Sequence, residues 1–151
     1  MLDFQKTIEK LTTARSLFKN FIDHVDTSDR YDLTTRLNEI AGDIQDTLKI
    51  AVPVKVIVRG VCSDIEGEAV VGYFKYTTGD KLSYIYIGNV KSSGEPHTTE
   101  SIATTFLHEI LHWLDIFYFR VYLDIDNTDK SAPHSGVFMS KFVDLITYFK
   151  T

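Results

Sequence analysis

Five residues, His108-Glu109-Ile110-Leu111-His112, interrupt a long apolar-patterned segment that runs from Thr98 to Tyr122. Phe106, Leu107, Ile110, Leu111, Trp113 and Leu114 surround them, so the segment reads as a helix buried on most of its circumference. Two imidazoles and a carboxylate are costly in such surroundings unless a metal or polar partners satisfy them. Histidines four apart lie about one turn apart on one helix face and can reach a single ion. Glu109 stands roughly 100° around the axis, where it can address a water on that ion without binding the ion itself. The fold must therefore wrap this helix while leaving one side of it open.

At 151 residues the chain is expected to form one domain, residues 1–151, with a single core. Its 44% hydrophobic and 25% charged content is ordinary for a globular protein. A formal net charge of -5 argues against nucleic acid, and duplexes above all, as the main partner. Cys62 is the only cysteine, which excludes an internal disulfide and a cysteine-based zinc ribbon. The N-terminus lacks a basic start leading into an apolar run, and no segment approaches the roughly 18 apolar residues of a membrane span. The expectation is a cytoplasmic, intracellular protein without a membrane partner.

Apolar residues from Phe4 to Val25 fall mostly at helical spacing and predict a first helix. Asp26 to Asp29 offers caps for a second, Tyr31 to Ile50, with Leu33, Leu37, Ile40, Ile44 and Leu48 facing inward. Val52 to Arg59 alternates as a strand covered on one face would. A polar loop through Asp64 and Gly67 leads to a second strand, Ala69 to Tyr76, and a third follows from Leu82 to Gly88. Thr77 to Lys81 joins the last two as a hairpin. Thr98 or Thr99 caps the motif helix, and a closing helix begins near Pro133-His134-Ser135. The predicted class is α+β: two N-terminal helices, a small, largely antiparallel sheet, the motif helix and the C-terminal helix.

Hydrolytic zinc usually takes three protein ligands, so His108 and His112 need a third. His134 is expected to supply it, from the start of the last helix beyond a loop long enough to turn back over the motif. Asp124, Asp126 and Asp129, then Asp115, and more remotely His97 or His24, compete for that role. Asp115 shares the helix face of both histidines and can accept a ring N–H from one of them, fixing its tautomer. Tyr118 or Tyr122 can offer an oxyanion hydrogen bond, with nothing in the sequence to choose between them.

Thr105 to Leu114 matches the longer signature of zincin metallopeptidases, and His134-Ser135-Gly136-Val137-Phe138 resembles the H-x-G-x-F element of SprT-like and related minimal zincins. In that family the histidine of the second element is the third zinc ligand. The resemblance covers roughly Thr98 to Phe149, and it implies a compact zincin fold. It also implies a strand at the sheet edge that pairs with an extended protein or peptide substrate, for which Leu82 to Gly88 is the candidate. The glycine and third histidine of the metzincin continuation are absent, since Asp115 and Tyr118 stand in those places. The expected activity is peptide-bond hydrolysis with one zinc ion, His108, His112 and His134 as ligands, and a zinc-bound water activated by Glu109. Two alternatives are a zinc hydrolase of another bond, such as an RNA phosphodiester, and a non-catalytic zincin-like binding module.

Overall fold

The computed structural model describes residues 3–63, 69–76, 81–121 and 136–151. Its helices are α1 (Phe4–Ile8), α2 (Thr12–His24), α3 (Arg30–Leu48), α4 (Thr99–Phe117) and α5 (Gly136–Lys150). Its strands are β1 (Val54–Arg59), β2 (Cys62–Ser63), β3 (Ala69–Val70), β4 (Gly72–Lys75) and β5 (Ser83–Gly88). The architecture is α+β, with helices packed on a small mixed sheet ordered β1-β5-β4 and a separate β2-β3 ladder. Among the described residues β4–β5 and β2–β3 pair antiparallel and β1–β5 pairs parallel.

The predicted first helix is two. Lys10 N–H bonds to Thr7 C=O and Leu11 N–H to Ile8 C=O, a tightened turn that breaks the chain between α1 and α2. The break lets Ile8 and Leu11, both fully buried, enter the same core as Ala14, Phe18 and Phe21. Helix α3 begins where Asp29 accepts from the N–H groups of Tyr31 and Asp32, and it ends on Lys49 in the left-handed region. Asn38 then ties α3 to β1: its Nδ2 donates to Val56 C=O and its Oδ1 accepts from Val56 N–H, both at 2.9 Å. A side-chain amide thus imitates a neighbouring strand on the outer edge of β1 and caps that edge.

The predicted strand Ala69 to Tyr76 is divided at Val71, with β3 pairing β2 and β4 pairing β5. The expected hairpin, Thr77 to Lys81, falls almost wholly outside the described residues. One expectation is overturned. Leu82 to Gly88 cannot be the substrate-pairing edge, because β5 is the central strand and its main chain is hydrogen-bonded on both sides. The edge beside the motif helix is β4.

Helix α4 is capped by the Thr98 hydroxyl, which accepts from Ser101 N–H, with Glu100 in its first turn. It closes earlier than the sequence pattern suggests. Arg120 takes a left-handed φ of 58°, and Val121 N–H returns to Asp115 C=O. Trp113 is fully buried and donates its indole N–H to Val52 C=O at 3.0 Å, pinning the helix to the approach to β1. Ile102, Ala103, Phe106, Leu107, Ile110, Leu111 and Leu114 share one core with α2, α3, the inner face of the sheet and Phe138, Leu145 and Phe149 of α5. No helix among the described residues is long and apolar enough to cross a membrane.

Candidate metal centre

Gly72 sets the approach of the motif helix to the sheet. A Cβ there would stand 2.6 Å from Tyr86 O and 2.9 Å from Thr105 Cγ2, so glycine is needed for contact rather than for an unusual φ. Thr105 lies one turn before His108 on α4. The motif is thereby held directly under the end of β4.

Ligand atoms of His108, Glu109 and His112 lie within 4.8 Å of one another, and among the described residues theirs is the one such group of metal-ligating side chains. The group can hold a metal ion. His108 Nε2 and Glu109 Oε1 are 3.8 Å apart, with a quarter of the His108 side chain exposed and Glu109 buried. Burial pushes the Glu109 carboxyl up to about 8, against the opposing pull of a hydrogen bond from the Phe74 main chain. A carboxyl poised there can exchange a proton near neutrality.

The Phe74 contact also orients the strand edge. Gly88 N–H bonds to Val71 C=O, so alternation along the antiparallel pair turns the main-chain groups of Val71, Tyr73 and Lys75 toward β5. Those of Gly72 and Phe74 turn outward, where Glu109 takes the Phe74 N–H. A cleft of about 290 Å³ opens at this edge, lined by Val71, Gly72, Thr104, Thr105, His108, Glu109 and Phe142.

Phenylalanines of α5 close the other side. The Phe138 ring is stacked on His112 at 4.5 Å between centroids and stands edge-on to His108 at 5.2 Å. Phe142 meets His108 edge-on at 5.0 Å, and Phe74 stacks on His112 from the sheet at 6.5 Å. Both imidazoles are therefore held by aromatic faces, which restricts their rotamers. Sequence periodicity marks Phe138 and Phe142 only as inward-facing residues of the last helix, without indicating that they touch the motif.

Asp115 is fully buried, and its Oδ1 takes Lys141 Nζ of α5 at 2.9 Å. That lysine also lies over the rings of Phe4 and Phe119, at 5.7 and 5.3 Å. Asp115 thus joins α4 to α5, a connection absent from the sequence reading. His134, the loop acids Asp124, Asp126 and Asp129, and Tyr122 lie outside the described residues. Tyr118 is the C-cap of α4, its ring edge-on to Phe119. His97 donates its main-chain N–H to Asn89, and burial beside Lys91 lowers the pKa of its ring. His24 sits at the end of α2, its Nδ1 3.0 Å from Asn20 C=O. Neither belongs to the group around His108.

Comparison with protein-family models, with curated proteins and with solved structures gives no match.

Proposed function

We propose that the chain is a zinc-dependent metallopeptidase that cleaves extended polypeptide at the cleft between β4 and α4. The observation that carries this reading is the convergence of His108, Glu109 and His112 at the outward edge of a strand, with the carboxylate buried and bonded to that strand. The donor set suits zinc: two imidazoles from one helical turn, with a carboxylate beside them. Zinc held there supplies a Lewis acid that acidifies water and polarises a carbonyl.

His108 and His112 bind the ion, and His134 is the proposed third ligand. Support for His134 comes from Phe138, four residues later, whose ring touches both motif imidazoles. Glu109 takes a proton from the attacking water at a carboxylate oxygen and returns it to the departing amine, so one group serves both halves of the reaction. Asp115 is proposed to steady the liganding rings by fixing α4 against α5 and by accepting a ring N–H from one of them. An extended substrate pairs with the outward N–H and C=O of Gly72, so recognition is chiefly of main chain. Among the described residues that line the cleft there is no Lys or Arg to hold a phosphate, which favours a peptide over a phosphodiester.

Turnover of a mixed peptide library by the zinc-loaded chain and by Glu109→Gln tests the proposal. Wild type is expected to cleave, and Glu109→Gln to lose at least about 100-fold in rate, the low end for a general acid-base group. Equal turnover by the two proteins, or none by wild type with zinc bound, would overturn it; the second result would leave the non-catalytic binding module.

A further inference from the structure

The two faces of the sheet differ in kind. Gly72 points toward Thr105 and Phe74 meets His112, so the even positions of β4 face α4. Strand register places Ile85, Ile87, Val54, Val56 and Val58 on that same inner face. Besides Ile57 and Gly88, the outward positions of the three strands carry Lys55, Arg59, Tyr73, Lys75, Tyr84 and Tyr86, with no Asp or Glu among them. Acidic residues outnumber basic ones 21 to 16 in the whole chain, so three cations and no acid at the outward strand positions are, among the described residues, a local reversal of charge.

The tyrosines form a continuous stack across the face. Tyr73 and Tyr86 lie 4.8 Å apart at 24°, and Tyr84 and Tyr86 lie 5.9 Å apart at 22°. Arg59 sits 4.4 Å from the centre of the Tyr86 ring. Tyr84 is half-buried at one end of the stack and is flanked in register by Lys55 on β1 and Lys75 on β4, both exposed. A planar ring between two solvent-exposed cations offers stacking and charge together.

We propose that this outer face is a binding platform for single-stranded nucleic acid, with an unpaired base stacked on Tyr84 and the flanking phosphates on Lys55, Lys75 and Arg59. Flat π-faces combined with a cationic track are the elements of sequence-tolerant single-strand binding. Duplexes hide their base faces and gain only the charge term. The proposal rests on the sheet face alone and stands independently of the metal centre, which lies on the opposite side of the sheet. It also narrows the expectation drawn from the net charge: acidic surroundings make the binding weak at physiological salt without removing the local patch.

Fluorescence anisotropy of labelled 15-nucleotide oligothymidylate and oligouridylate, with a duplex of equal length, tests this on the full chain. Both single strands should bind at 50 mM salt, and comparing them reports any preference between DNA and RNA. Three cations at roughly 0.7 counterions each predict a log–log salt slope of about -2, or about a 20-fold loss between 50 and 200 mM. Tyr84→Ala should weaken binding about 5- to 150-fold, the range of one lost base stack, and Tyr84→Phe should restore it. Lys55→Glu, at an exposed position that leaves folding intact, should weaken it as well and flatten the salt slope. Equal affinity for the duplex, binding untouched by Tyr84→Ala and Lys55→Glu, or no anisotropy change at 50 mM salt would overturn the proposal. Binding to anionic phosphatidylserine vesicles with none to either oligonucleotide would overturn it equally.

Discussion

Adding a single methyl group at Gly72 tests how closely the site depends on the contact between β4 and α4. The new Cβ would lie 2.6 Å from Tyr86 O and 2.9 Å from Thr105 Cγ2, where ordinary contact begins at 3.4 Å. Restoring that distance needs about 0.8 Å of movement against a strand carbonyl and about 0.5 Å against the motif helix, by subtraction. Overpacking of this kind costs about 1–3 kcal/mol. For a chain of this length that is roughly 2–12 °C in melting temperature, at about 2–4 °C per kcal/mol. Thr105 is one turn from His108 and Glu109, so the same shift should misplace these groups and lower the proposed peptidase activity by up to about 100-fold. Differential scanning calorimetry and peptide turnover read the two effects. Thr105→Ser removes Cγ2 and should recover part of both losses in the double variant, a coupling of about 0.5 kcal/mol or more. A Gly72→Ala protein with unchanged melting temperature and turnover would refute the close-approach reasoning.

Three further outcomes are expected. Lys141→Ala removes one charged partner of the fully buried Asp115 and should destabilise the chain by about 3–5 kcal/mol in urea melts, whereas a double change to apolar residues, Asp115→Leu with Lys141→Met, should recover much of that loss. Asn38→Ala strips both side-chain hydrogen bonds from Val56 and should cost about 1–3 kcal/mol in the same assay. In chelator-treated protein, Glu109 has a folded pKa of about 8, raised by burial, so the stability it contributes as a neutral acid is complete below its ordinary value of 4.5. That contribution falls as pH rises through about 8, because the unfolded chain has by then released the proton. Melting temperature should therefore decline from pH 5 to pH 9 more steeply in wild type than in Glu109→Gln, and parallel profiles would contradict the burial.

Much of the frame was legible in the residues. Helices α3 and α4 and strands β1 and β5 follow from apolar spacing and caps, and the motif spacing alone predicts that His108 and His112 share a face. What escaped the sequence depends on contacts between distant segments. Nothing in Leu82 to Gly88 distinguishes a central strand from an edge one, since Ile85 and Ile87 read the same in either setting. The break before α2 is invisible because Ile8 and Leu11 keep helical spacing across it. Asn38, Gly72 and Lys141 look like ordinary surface or turn residues until the fold sets them against Val56, Thr105 and Asp115.

Metal content tests the central claim most directly. After dialysis with zinc and removal of the excess, elemental analysis should find one zinc ion per chain in wild type and in Glu109→Gln. His108→Ala and His112→Ala should each reduce it to a small fraction of that. Wild-type protein that retains no zinc, or stoichiometric zinc that persists when both histidines are replaced, would contradict the account.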